Sequence, residues 1–270
     1  MPRRTAAVLV VGNEILAGFT QDTNSHWLAQ RLRDLGIDLR RVSVVGDAVG
    51  DIVHELRHVR DHTGTEELFV CGGLGPTPDD KTLAAVAQAF DAPLEPNEEV
   101  LARLRKVAAK MHELGIIDDA RGGMGVEKMA RLPRGSVPLA NFAGMAPGIL
   151  IAVPRPESSS MRCFVLPGVP REMKAIFDEV VAPVHLKGLG EVWHTETVKH
   201  AGEESELFSL LDRLEREMPE VVIGSYPKFG KLEVTLRVSG TKENVTLAVA
   251  EIRAFLEERA RRRRASLPGR

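Results

Sequence analysis

The chain of 270 residues is poor in cysteine, with two, and in aromatic side chains, which make up 4% and include a single tyrosine. Two cysteines cannot build a disulfide framework. Cys71 and Cys163 each adjoin an apolar, strand-like run, so both read as small core residues of a protein kept in a reducing, cytoplasmic compartment. No apolar run approaches the roughly 18 residues that a membrane-spanning helix requires. The stretch AAVLVVG follows two arginines, but it is too short for a signal peptide, and no small-residue cleavage site precedes Glu14. It reads as a buried first strand. A net charge of −2 supplies no global field toward nucleic acid or an anionic membrane. Hydrophobic residues at 43% and charged residues at 27% describe an ordinary globular chain, long enough for two domains.

Strand-like and helical patterns alternate through the first 185 residues. TAAVLVVG (5–12), RRVSVVG (40–46) and ELFVCGG (67–73) are continuous apolar runs, as strands covered on both faces should be. Leu28, Leu32 and Leu35 mark one helical stripe between them, and Ile52, Leu56 and Val59 another. A long helix is predicted over 96–115, RGGMG (121–125) reads as a loop, and GILIAV (148–153) and RCFVLPG (162–168) read as strands joined by a polar hairpin connection. This rhythm predicts an α/β, three-layer α/β/α domain with a mostly parallel sheet over 1–185. HLKGLG (185–190) reads as a linker. A strand, helix, strand, strand and helix then predict a small α+β domain over 190–260, and the arginine run opens a solvated, frayed basic tail at 261–270.

One motif is a decoy. HELRH (54–58) matches the zinc-protease spacing, yet its helix turns Leu56 to the core and sets His54 about 200° away, toward solvent. A third ligand and a cleft are also needed.

CGGLGPTPDDKT (71–82) carries the chemistry. It is neither a Walker A loop, lacking Gly-Lys-Ser/Thr, nor the dinucleotide fingerprint, since Pro78 stands where that pattern has glycine. It is a strand end, a glycine turn and a helix expected to begin near Asp79. Gly72, Gly73 and Gly75 allow backbone N–H groups to approach phosphate oxygens without a Cβ in the way. Either Asp79 or Asp80 can cap the helix, but two adjacent acids exceed that need. They repel a bare phosphate, so a divalent cation bridging carboxylate and phosphate oxygens is the economical reading. Lys81 is either solvated or a phosphate contact, and Thr82 either a hydroxyl ligand or a first-turn residue.

Three further stretches resemble it in composition. GNEILAGFTQDTNS (12–25) leaves strand one with Glu14 and enters a helix at Asp22-Thr23-Asn24, where Asp22 or Thr23 can serve as N-cap. NFAGMAPGI (141–149) precedes its strand, so periodicity does not place it at the same sheet edge as the others. LPGVPREMK (166–174) starts a helix at Pro170, and Glu172 there is either a helix-dipole partner or a site acid.

Taken together, VGNEILAGFTQDTNS, VVGD (44–47), CGGLGPTPDDKT, GMAPG, LPGVPREMK and IGSYP (223–227) resemble the competence/damage-inducible protein CinA family. The likeness covers that family's N-terminal molybdopterin-binding-like domain and the small KH-like domain after it. It implies a metal-dependent pyrophosphatase acting on ADP-ribose, with AMP and ribose 5-phosphate as products. Carried over by motif, Asp79, Asp80, Thr77, Thr82 and the Gly72–Gly75 turn fall in the catalytic loop. Glu14, Asp22, Asn24 and Asp47 line the strand ends, and Gly144, Ala146, Pro147 and Gly148 form a second loop. Met145 departs from the family's usual threonine in that loop, Lys81 and Pro78 are local choices, and the loop at 154–160 is elongated. The chain ends at Arg270, so the family's C-terminal deamidase activity is not expected.

The expectation is therefore hydrolysis of the pyrophosphate of a small-molecule nucleotide substrate, ADP-ribose or a related nucleoside-diphosphate sugar. Asp79 and Asp80 would hold Mg2+, Mn2+ or Co2+, and Glu14 would orient water. The alternatives are a molybdopterin-binding or molybdopterin-adenylylating protein and a non-catalytic nucleotide binder. Nucleic acid is not expected as a partner, because GSYPKFG spaces its glycines too widely for a GxxG clamp. Nor is a membrane expected, while a homo-oligomer is admissible.

Overall fold

The computed structural model describes residues 4–120, 123–155 and 160–266. The chain forms two compact units, divided between Glu191 and Val192. In the first, β1 (Thr5–Val11), a short turn of helix α1 (Asn13–Leu16) and α2 (Asn24–Asp34) lead to β2 (Asp38–Val45). Next come α3 (Val49–His62), β3 (Glu67–Cys71), α4 (Thr82–Ala89), β4 (Leu94–Pro96), α5 (Glu98–Glu113) and α6 (Gly123–Met129). Three strands, β5 (Arg131–Pro133), β6 (Val137–Leu139) and β7 (Gly148–Pro154), precede β8 (Ser160–Leu166). Helix α7 (Pro170–Ile176) continues in wider, π-type turns from Phe177 to Leu186.

Six strands form one sheet in the order β2-β1-β3-β8-β7-β6. The first four run parallel, β7 runs antiparallel to β8, and β6, antiparallel to β7, returns to the direction of the first four. The hairpin expected between β7 and β8 pairs Pro154 with Ser160, and most of its connection lies outside the described residues. Strands β4 and β5 form a separate two-stranded ribbon that periodicity did not signal, since three residues carry no alternation to read.

The sheet is covered on both faces, which makes three layers. Ile52, Leu56 and Val59 of α3 pack with Val86, Leu104 and Val126 on one side. Leu28 and Leu32 of α2 pack with Ile176, Phe177 and Val181 on the other. Cys71 and Cys163 are free and buried in this core, and burial pushes the Cys71 thiol up to about 12. Glu67, with no exposed surface, is paired to Arg4 Nε at 2.5 Å and forked by Arg162 Nε and Nη2. Such a pair is tolerable inside a protein only because every charge is met.

The structure corrects four expectations. Residues 123–125, the described part of the stretch read as a loop, open α6 (Gly123–Met129), whose Val126 and Met129 are buried. The helix after the glycine turn begins at Thr82, not near Asp79. The segment expected as a linker from 185 starts inside the π-type turns that end at Leu186. In the second unit, the arginines at 261–264 are helical and not a frayed tail.

That second unit consists of β9 (His194–His200), a single 3-10 turn (Glu204–Leu207), α8 (Phe208–Glu217), β10 (Val222–Pro227), β11 (Val234–Gly240) and α9 (Lys242–Ser266). Its sheet order is β10-β11-β9, antiparallel throughout. Leu207, Leu210, Leu214, Leu236 and Ile252 lie in its core. Helix α9 runs on through the arginines because Glu257 and Glu258 stand four residues before Arg261 and Arg262 and pair with them. Residues 267–270 of the expected tail lie outside the described residues. No helix among the described residues is long and apolar enough to cross a membrane.

Candidate functional site

In a doubly wound sheet the ligand crevice lies beyond the carboxyl ends of the strands, at the point where the winding reverses. Here the chain goes from β1 to β2 on one side and to β3 on the other, so the reversal falls between β1 and β3. A cavity of about 550 Å³ opens there, within the size range of small-molecule sites. Its wall takes Gly12 and Glu14 from beyond β1, Asp47 from beyond β2, the glycine turn from beyond β3, and Gly168 and Glu172 from beyond β8. Because β7 is antiparallel to β8, its amino end reaches this same edge. Met145 and Ala146 thereby join the wall, which periodicity alone had left undecided.

The turn itself is built from close backbone contacts. Gly72 sits at φ +111, and its N–H donates to the Leu166 carbonyl at 3.1 Å. The Thr82 hydroxyl donates to the Gly72 carbonyl at 2.7 Å, and Thr82 N–H to Gly73 O at 3.2 Å. Thr82 is thus fully buried and spent on holding the turn.

Neither aspartate caps α4. Asp80 Oδ2 instead accepts the Thr77 N–H at 3.0 Å and the Thr77 hydroxyl at 2.5 Å, which closes the loop on itself. The Thr77 hydroxyl, with one proton that can serve the two acids only in turn, is also the leading cause that holds the Asp79 carboxyl below the usual carboxylate range, ahead of its own backbone N–H, Lys128 and Lys81. Lys128 of α6 fixes the loop from outside, donating to Gly75 O at 3.2 Å and to the Thr77 carbonyl. Burial lowers the Lys128 pKa, and attraction from Asp80 and Asp79 opposes it. Asp47 is locked reciprocally with Asn13: Asn13 N–H donates to Asp47 Oδ2 at 3.0 Å, and Asp47 N–H to Asn13 Oδ1 at 3.3 Å.

Of the residues expected in the site, the cavity gathers Glu14, Asp47, Gly72, Gly73, Gly75, Asp79 and Asp80. The remainder stand behind or beside its wall. Asp22 is a cap: its carboxylate accepts the Asn24 and Ser25 N–H groups at 3.0 Å each, and the Ser25 hydroxyl. Asn24 is buried and donates to Gly168 O at 2.8 Å. Thr77 and Thr82 serve the loop, and Gly148 is the buried first residue of β7. Gly144 packs on Glu172, and Pro147 lies outside the lining residues.

Glu172, for which the sequence leaves a helix-dipole role and a site role both open, is in the wall. Arg103, Asn141 and Lys128 serve the site without a signal in the sequence. Each is a lone polar residue on a helix or loop, with no local spacing to mark it.

Five carboxylates, those of Glu14, Asp47, Asp79, Asp80 and Glu172, therefore line the cavity, and among the described residues no lysine, arginine or histidine lines it. The His54 and Glu55 of the zinc-protease look-alike are elsewhere. Glu55 is buried, accepting from Ser43 Oγ at 2.6 Å and Arg41 Nε at 2.9 Å.

Against known proteins, a family model described as a probable molybdopterin binding domain matches residues 7–187. The chain belongs to that family. A second model, described as the middle domain of FAD synthase, matches residues 192–264 of this molybdopterin-binding-domain protein. A Pyrococcus abyssi protein is 38% identical over 94% of this chain and 96% of its own length. An Aeropyrum pernix protein is 34% identical over 94% of this chain and 91% of its own. Among solved structures, a CinA protein of unknown function from Thermoplasma acidophilum is 32% identical, with a TM-score of 0.55, covering 66% of this chain and 95% of that one. The CinA-like expectation for fold and family thus stands.

The donor set is compatible with a divalent cation. All five acids offer hard oxygen ligands, while among the described residues no group of three or more His, Cys, Asp or Glu side chains is placed to hold a metal ion.

Proposed function

We propose that the first unit binds a phosphorylated pterin of the molybdopterin class together with a divalent cation. One observation carries the reading: five carboxylates meet at a glycine turn, with no basic side chain in the cavity wall among the described residues. An anionic ligand enters such a site only if positive charge comes with it. Asp79 and Asp80 would hold the cation, which supplies charge neutralisation between carboxylate and phosphate oxygens. Backbone N–H groups of the glycine turn would meet the phosphate, and the apolar wall of Leu74, Met129, Met145 and Ala146 would receive the ring. The family match supports the pterin.

A second reading is hydrolysis of the pyrophosphate of ADP-ribose or a related nucleoside-diphosphate sugar. It is favoured by the surplus of acids and by the activity that the motif resemblance to the CinA family implies. Glu14 would orient the attacking water, and the turn would take charge developing on the leaving phosphate.

The test uses the full chain with Mg2+ and, separately, with chelator. Molybdopterin binding that requires Mg2+, without AMP release from ADP-ribose, supports the first reading. Metal-dependent AMP release that Asp80→Ala abolishes supports the second. Neither binding nor turnover would remove both.

A further inference from the structure

Glu172 is held more tightly than a helix-dipole partner needs to be. Its Oε2 accepts the Asn141 amide Nδ2 at 2.5 Å. Asn141 is itself buried and fixed at both ends: Nδ2 also donates to Ala146 O at 2.8 Å, and Oδ1 accepts the Ala143 N–H at 3.0 Å. Arg103, half-buried, ties the same loop by donating to Asn141 O at 3.2 Å and Met145 O at 2.7 Å. The loop then closes over the acid at Gly144, where a Cβ would stand 2.1 Å from Glu172 Cδ. The carboxylate thus has a fixed position in the cavity wall.

What it lacks is a donor for its other oxygen. Among the described residues no donor reaches Glu172 Oε1, and no cation stands within ion-pair distance. An ionised carboxylate only accepts hydrogen bonds, so a ligand meeting it must bring N–H or O–H groups. Its place in the fold narrows the choice. Glu172 follows β8, one strand beyond the β3 that carries the phosphate-type turn, an offset of about 5 Å along the sheet edge. Partly buried Met145 and Ala146 flank it, an apolar seat for a planar ring. A fixed acid beside an apolar seat, next to a phosphate turn, is suited to a ring edge that carries adjacent donors.

We infer that Glu172, positioned by Asn141, is the specificity residue of the cavity, and that it selects a heterocycle whose edge pairs an amino group with a ring N–H, as pterins and guanine do and adenine does not. This rests on the binding role proposed above for the cavity and adds which face of the ring is read. A carboxylate accepting both donors makes a two-point, charge-assisted contact, which discriminates more strongly than a single neutral one.

The test is calorimetric titration of the full chain in Mg2+ with GMP, IMP and AMP, and with inorganic pyrophosphate as a probe of the phosphate turn alone. GMP carries both donors, IMP the ring N–H only, and AMP neither in that arrangement. The expected order is GMP, then IMP, then AMP, with about tenfold between the first two, the scale of one charge-assisted hydrogen bond. Glu172→Gln should bring GMP down to the level of AMP. Equal affinity for all three in the wild type would overturn this inference while leaving the cavity's binding role intact, as would a GMP preference that survives in Glu172→Gln. Failure of all four ligands to bind, pyrophosphate included, would overturn the binding role and this inference with it. The wild-type comparison stands even if the variant does not fold.

Discussion

Gly72 approaches the Val11 carbonyl so closely that a β-carbon built on it would stand 2.1 Å from that oxygen. The two residues belong to the ends of adjacent parallel strands, neither of which can retreat without opening the sheet at the cavity floor. Gly72 also holds φ +111, which side chains rarely adopt. Gly72→Ala should therefore cost about 3 kcal/mol and lower Tm by roughly 10 °C. Gly18 is the control. It sits at φ +75 with open space around it, so Gly18→Ala should cost only about 1 kcal/mol. Thermal unfolding of both variants checks the contrast.

Thr77 should be visible in the titration of Asp79. With the hydroxyl in place, Asp79 titrates below the usual carboxylate range. Its charged form is then favoured in the folded protein above the unfolded pKa of about 4, and that preference fades as pH falls through the folded pKa. Thr77→Val should move the Asp79 midpoint upward, read by carboxyl NMR. An unchanged midpoint would mean that the neighbouring lysines, and not the hydroxyl, set it.

Glu55 offers a test away from the cavity. Burial raises its pKa, but the Ser43 hydroxyl and Arg41 more than offset that, so the net shift is downward. Its contribution is present above the unfolded pKa of about 4.3 and is lost as pH falls through the folded value. Arg41→Ala removes the charge partner and keeps the burial. Stability at pH 7 should fall by about 1 kcal/mol, with Arg41 partly exposed and screened. Acid unfolding should begin at higher pH than in the wild type.

The parts of this fold that were legible in sequence are those with local signatures. Val8, Leu9 and Val10 announce a doubly covered strand because nothing polar interrupts them, and Gly72–Gly75 announce a turn because so little else tolerates it. The direction of β7 is legible only through its hairpin connection to β8, since an apolar run by itself reads the same whichever way its neighbour points. The start of α4 was misplaced because Asp79 and Asp80 are good cap residues by type, yet Thr77 claims Asp80 and the helix begins at Thr82. Arg103, Lys128 and Asn141 act through carbonyls and a carboxylate 31 to 53 residues away in the chain, which no spacing rule reaches.

The measurement that bears most directly on the central claim is the affinity of the full chain for inorganic pyrophosphate with Mg2+ and with chelator, repeated on Asp80→Asn. Five carboxylates with no basic side chain in the wall among the described residues predict binding in Mg2+, its loss in chelator, and at least tenfold weaker binding in Asp80→Asn. Pyrophosphate binding that is equally tight in chelator would contradict the account, because the five carboxylates would then be tolerating an anion without an added cation to offset them.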